Sequence, residues 1–331
     1  MKDIVFSIIM PCYNSQDYVR NAMDSIVNQS YSNLELIVIN DGSFDDTLEI
    51  VNSYAKKDKR IRIYSKENGG YVSAVNMGLD KITGDYFCLI GSDDTFDLEL
   101  FENIYNQICE VEFEPDCIAF RTLMFKDNQN PKRDDYTDFD SVAYGKDVTI
   151  KQYSCEYPKH SRIFSLKDTS KLFKTSLLKD LRYFGKYGIA ADGIFSMLFS
   201  HRASSFLSVP YDGYLWNLRN ESVSSSKSLA KNIDQLNNWY KFYEELLKID
   251  VDEITSVERM YSMMGLYVAR DICSDIKGAF KHYRLVKERA KFLLSVALKL
   301  APDSVKVRTR ILAVSPILFS VLYNARKILK L

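Results

Sequence analysis

The chain has little of what marks the common metal and cofactor classes. Its six cysteines, Cys12, Cys88, Cys109, Cys117, Cys155 and Cys273, show no C-x-x-C spacing. That argues against a zinc site or a disulfide framework, and for reduced core residues of a cytoplasmic protein. The histidines, His160, His201 and His282, lie too far apart for metal-ligand spacing. No glycine-rich phosphate loop follows the first apolar run, where Pro11-Cys12-Tyr13-Asn14-Ser15 stands instead. The absence counts against a sugar-nucleotide pyrophosphorylase, and the lack of G-x-G-x-x-G counts against a dinucleotide-dependent dehydrogenase. There is no internal repeat and no signal-peptide pattern at the amino end. The longest apolar run near the carboxyl end, 311–323, is interrupted by Pro316. It falls short of the roughly 20 residues a bilayer-spanning helix needs.

What is present suffices for a sizeable core: 331 residues, 46% of them hydrophobic, or one large domain or two smaller ones. Charge balances at 44 basic and 44 acidic residues, but its distribution is uneven. Residues 277–331 hold 13 Lys/Arg and 2 Asp/Glu, a net of +11, which leaves −11 on the remainder. Such a basic end is either a solvated helix face or a surface for an anionic partner. Around the last apolar run, Arg308, Arg310, Arg326, Lys327 and Lys330 leave three readings open: peripheral membrane contact, a homo-oligomer interface, or an acceptor platform.

The first part of the chain alternates apolar strands with amphipathic helices, which predicts a largely parallel sheet. Strands are expected at 6–10, stopping at Pro11, and at 35–40, 61–64 and 86–90. Between them Val19, Ala22, Met23, Ile26 and Val27 recur at helical spacing, as do Val72, Val75 and Leu79. Asp45 is placed to cap the intervening helix. Asn68-Gly69-Gly70 reads as a turn. Residues 117–124 and 162–173 read as further sheet elements, 127–147 as a loop or partly ordered insertion, and 191–201 as a helix. From about residue 230 the pattern is helical, with Leu236, Trp239, Tyr240, Tyr243, Leu246 and Leu247 on one segment. A boundary near the serine-rich 222–228 divides the chain into 1–222 and 223–331.

Two acidic stretches fall where predicted strands end: Asp41-Gly42-Ser43 and Ser92-Asp93-Asp94. Carboxylates crowded at such ends are costly unless cations or hydrogen-bond donors meet them. The carboxyl edge of an open α/β sheet is also where ligands bind. Taken singly, the first stretch is an ordinary turn and the second an ordinary helix start.

Taken in order, the motifs resemble those of family 2 glycosyltransferases with the GT-A fold. The resemblance rests on Ser7-Ile8-Ile9-Met10-Pro11-Cys12-Tyr13-Asn14, on 24–31, on 35–43, on Asn68-Gly69-Gly70 with 73–78, and on Leu89-Ile90-Gly91-Ser92-Asp93-Asp94. It is close over 6–100 and looser to about 224. It implies a Rossmann-like mixed, mostly parallel sheet flanked by helices, followed by an all-helical carboxyl-terminal region.

The resemblance also implies roles. Pro11 and Tyr13 line the nucleobase pocket, Asn14 is a further donor-binding residue, and Asp41 accepts the uracil N3–H. Asn68 and Ser92 help hold the donor, and Arg219 complements phosphate charge. Asp93 and Asp94 would hold Mg²⁺ or Mn²⁺ against the diphosphate; which of them touches the ion stays open. Asp192 is the implied catalytic base, against the plain reading of a helix-capping aspartate. Trp216 is either a sugar platform or core. Two departures stand out: Gly91 and Ala191 occupy positions where the family often has acids. The implied reaction is metal-dependent, inverting transfer of a hexose or N-acetylhexosamine from a UDP-sugar to a glycan hydroxyl, with no nucleic-acid partner. The alternative is a catalytically weak scaffold subunit of a glycan-assembly complex. Localisation is expected to be cytoplasmic or peripheral on the inner face of the membrane.

Overall fold

In the computed structural model the described residues are 3–125, 130–133, 142–145, 149–150, 168–186, 190–218, 228–248, 264–274, 276–300 and 307–320. The first strand β1 (Phe6–Cys12) leads to helix α1 (Val19–Val27). It is followed by β2 (Leu34–Asn40), α2 (Thr47–Ala55), β3 (Ile61–Ser65), α3 (Tyr71–Leu79) and β4 (Tyr86–Leu89). Then come β5 (Thr95–Phe96), α4 (Leu100–Glu110), β6 (Cys117–Phe125), β7 (Lys132–Arg133), β8 (Val142–Tyr144) and β9 (Lys171–Lys174). After them lie α5 (Ala191–Ser200), β10 (Phe206–Asn217) and the helices α6 (Leu229–Leu246), α7 (Met264–Ile272), α8 (Ile276–Lys281), α9 (Tyr283–Leu300) and α10 (Val307–Val314).

One mixed sheet runs β3-β2-β1-β4-β9-β6-β10-β5, with β7 beside β6 and β8 beside β10. The β3-β2-β1-β4 half is parallel, as the strand–helix alternation predicts. In the other half β9 pairs antiparallel with both β4 and β6, and β5 with β10. Strand order reverses between β2 and β4 around β1, which opens a crevice beyond the carboxyl ends of β1, β2 and β4.

Period-two alternation sorts the side chains to two faces. Phe6, Ile8, Met10 and Cys12 of β1 join the core with residues of α1, α2 and α4, while Ile9 packs the opposite way with α3 and α5. At the α3 contact a Cβ on Gly78 would lie 2.4 Å from Ile9 Cγ2, so glycine lets the helix sit flush on the strand. The Ile9 side continues into α6, α7 and α9, whose Leu236, Trp239, Leu266 and Leu293 belong to the same apolar cluster.

Some expectations need correction. Strand β1 does not stop at Pro11 but runs through it. Ile90 N–H bonds to Ile9 O, so alternate residues face β4, and Pro11 falls on that side after β4 has ended. The missing N–H is therefore not needed there. Asp46 rather than Asp45 takes the N-cap position of α2. Asp45 still serves that helix, its Oδ1 accepting Thr47 N–H at 3.0 Å. The 127–147 stretch supplies two short strands, β7 and β8, within its described part. The cysteines Cys12, Cys88, Cys117 and Cys273 are free and buried, but Cys109 is exposed on α4; Cys155 lies outside the described residues. Among those residues no helix is long and apolar enough to cross a membrane.

Candidate active site

The crevice is built from loops cross-tied by their own polar side chains. After β1, Asn14 adopts a left-handed backbone (φ 48°). Its N–H donates to Ser43 Oγ at 3.1 Å, and its Oδ1 accepts Phe44 N–H at 3.1 Å. Ser15 Oγ lies 2.7 Å from Ser92 Oγ, joining this loop to the second acidic motif. Tyr13 leaves 48% of its surface exposed, an open ring at the crevice mouth.

Asp41, at the end of β2, is buried. Its Oδ1 accepts from Lys66 Nζ at 2.8 Å and Gly69 N–H at 2.9 Å, and its Oδ2 accepts Gly70 N–H at 2.8 Å. Asn68 donates from Nδ2 to Asp41 O at 3.0 Å. The Asn68-Gly69-Gly70 turn thus wraps the aspartate, and Gly70 (φ 86°) provides the backbone shape a side chain would resist. Among the described residues Oδ2 has a single such partner, and a carboxylate oxygen can accept a second N–H donor.

The second motif divides its carboxylates. Asp94 is buried; its Oδ2 accepts from Tyr214 OH at 2.6 Å and its Oδ1 from Asn217 N–H at 2.8 Å, both on β10. Gly91 N–H donates to the same Tyr214 oxygen at 3.2 Å. Asp94 therefore clamps the motif to β10, while Asp93 is less buried. A Cβ on Gly91 would lie 2.8 Å from both Asp93 Oδ1 and Asp94 Oδ2, so this glycine lets the two carboxylates converge. Among the described residues there is no group of three or more His, Cys, Asp or Glu side chains for a metal. One or two carboxylates fit an ion such as Mg²⁺ or Mn²⁺, which takes its other ligands from phosphate and water.

Asp192 sits in the first turn of α5, one residue inside the helix, whose N-cap is Ala190. It is thus not the capping residue. All other residues of α5 are buried, so the helix is a rigid mount for this carboxylate. Burial first, then the charges of Asp168, Asp192, Asp94 and Asp93, push the phenol pKa of Tyr71, the first residue of α3, well above the ordinary range. It stays a hydrogen-bond donor at any working pH.

Beside Asp192 lies a residue that the sequence reading misses. Asp168 is 1% exposed and accepts from Tyr183 OH at 2.5 Å. Burial and the Asp192 charge raise its pKa to about 6, against the pull of that hydrogen bond and of buried Lys171. Tyr183 in turn stacks on Phe195 of α5 (4.3 Å, 12°) and exchanges two backbone hydrogen bonds with the Asn76 side chain of α3. No local pattern marks Asp168, because its partners are distant in sequence. Lys66 was findable, as a cation two residues before the Asn-Gly-Gly turn. Trp216 is half-buried against the sheet core. Arg219 lies outside the described residues.

Residues 7–179 match the profile of Glycosyl transferase family 2. A glycosyltransferase GlyA from Streptococcus pneumoniae serotype 4 is 31% identical over 192 residues, 56% of this chain but 27% of GlyA. The chain thus spans about a quarter of that relative. An uncharacterized glycosyltransferase from Haemophilus influenzae is 31% identical over 213 residues, 62% of this chain and 79% of the relative. Crystalline S. aureus TarS 1–349, in complex with UDP-GlcNAc, superposes with a TM-score of 0.71 at 19% identity, over 99% of this chain and 92% of TarS. That last likeness concerns the GT-A-like fold; the profile and the Haemophilus relative establish that the chain belongs to glycosyltransferase family 2.

Proposed function

We propose that this chain is a metal-dependent, inverting glycosyltransferase moving a hexose or N-acetylhexosamine from a UDP-sugar to a glycan hydroxyl. The observation that carries the reading is the convergence of the Asp93 and Asp94 carboxylates over Gly91 beyond β4, with Asp41 wrapped by the Asn68-Gly69-Gly70 turn at the end of β2, across β1. Tyr13 and Asp41 receive the base, and the Asp41 carboxylate accepts the uracil N3–H, a donor that cytosine lacks. Asp93, aided by Asp94, would hold a divalent cation, which when bound would supply charge neutralisation for the departing diphosphate. Asp192 takes the acceptor hydroxyl proton as that oxygen attacks the anomeric carbon from the opposite face. The bond from that carbon to the phosphate oxygen breaks in the same displacement, and UDP carries away its electron pair. A single base and no nucleophilic side chain in this scheme mean inversion. Gly91 and Ala191 favour a second reading, a scaffold that binds the donor without turnover.

A UDP-release assay over a panel of UDP-sugars and glycan acceptors, with Mn²⁺ or chelator, separates the two. UDP-GlcNAc is tried first because the structurally similar TarS is seen with it. Release from one donor that chelator abolishes is the expected result. Asp192→Asn is expected to bind UDP as tightly as wild type while losing turnover by about 10²-fold or more. Undiminished turnover removes Asp192 from the mechanism.

A further inference from the structure

Phe44 is the most exposed large hydrophobic side chain among the described residues, at 83%. Folding gains little from it there. Yet its ring is not isolated: it meets exposed Tyr13 edge-to-face, with centroids 6.2 Å apart at 82°. The backbones carrying the two rings are stapled together. Besides the two Asn14 bonds, Ser15 N–H donates to Thr47 Oγ1 at 2.7 Å, Gln16 N–H to Asp45 Oδ2 at 3.1 Å, and Asp46 N–H to Gln16 Oε1 at 3.1 Å. The left-handed backbone of Asn14 is held by this network. Two loops are therefore fixed so as to present two aromatic rings to solvent, three residues from Asp41.

We propose that Phe44 is a second aromatic wall of the nucleobase site, covering a base that lies against Tyr13; the inference rests on the donor-site reading above. With the rings nearly perpendicular, a flat base stacked on one meets the other across its edge, and both arrangements are favourable aromatic geometries. A phosphate group would instead face the negative ring surfaces. Placement three residues after Asp41, on a loop stapled to the one that carries Tyr13, puts Phe44 at the base end of the donor. Phe44 thus determines affinity for the base and takes no part in the chemical step.

Calorimetry with the full chain tests this, using UDP with Mn²⁺ and, as a probe lacking the base, inorganic pyrophosphate with Mn²⁺. Phe44→Ala is expected to raise the UDP Kd about tenfold, in line with the cost of losing one base–aromatic contact. Pyrophosphate binding and the thermal midpoint should not change, and Phe44→Tyr should restore UDP affinity to within about threefold. A Phe44→Ala protein that binds UDP like wild type overturns the inference, as does an equal loss of pyrophosphate binding. Wild-type protein that binds no UDP overturns the donor-site reading and the inference together.

Discussion

The two neighbouring aspartates of the second acidic motif do different work. Asp94 is buried and occupied by Tyr214 OH and Asn217 N–H, so its removal strands both donors. A buried donor left without an acceptor costs about 1–3 kcal/mol. Asp94→Ala should therefore lower unfolding free energy by about 2–4 kcal/mol, two such losses partly relieved by water. Asp93→Ala, at the less buried of the two positions, should lower stability by less than Asp94→Ala does, while removing metal-stimulated UDP release. Paired urea titrations and release assays check both. Equal destabilisation by the two substitutions would mean that Asp93 is structural as well. The sequence showed that this motif was acidic and lay at a strand end. It did not show the division of labour, because Tyr214 and Asn217 lie on a strand more than a hundred residues away.

At the scale of elements, the parallel half was legible because each strand there is a short unbroken apolar run followed by a helical period. Strand β10 was not. Its apolar segments, Phe206-Leu207-Ser208-Val209 and Tyr214-Leu215-Trp216, are split by Pro210, Asp212 and Gly213, residues that interrupt a strand pattern. In the fold these residues mark register shifts against β6 between Val209 and Asp212 and between Asp212 and Tyr214. A bulge re-aims the strand that supplies Tyr214. Gly213 has a packing reason as well: a Cβ there would lie 2.1 Å from Leu100 Cδ1 of α4. Gly213→Ala should cost about 1–3 kcal/mol through overpacking. It should also weaken metal-stimulated turnover, because the strand that anchors Asp94 must shift. A thermal melt unchanged from wild type would show that α4 yields freely. Asp168 was hidden for a related reason: its neighbours Tyr183 and Asp192 are joined to it by topology, not by spacing.

At the scale of the whole molecule, the carboxyl-terminal helices are not an appendage with a core of their own. Ser228 Oγ caps α6 by accepting Lys231 N–H at 3.2 Å. From there Leu236, Trp239, Phe242, Tyr243, Leu246, Leu266 and Leu293 enter the cluster that holds Ile9, Val75, Phe87 and Phe195. Phe195 lies on α5, the helix that carries Asp192. Burying such side chains is worth about 1.5–3 kcal/mol each, so these seven together contribute roughly 10–20 kcal/mol. A net stability of about 5–15 kcal/mol does not survive the loss of even half of that. A chain ending at residue 222 would bare the apolar side of α5 and unseat the proposed base together with the fold around it. It should aggregate, or bind a hydrophobic dye without a cooperative thermal transition. Sedimentation and calorimetry of the 1–222 fragment beside the full chain decide the matter. A monomeric fragment that melts cooperatively would mean that the strand half closes its own core, and would leave 223–331 free to serve the acceptor side alone.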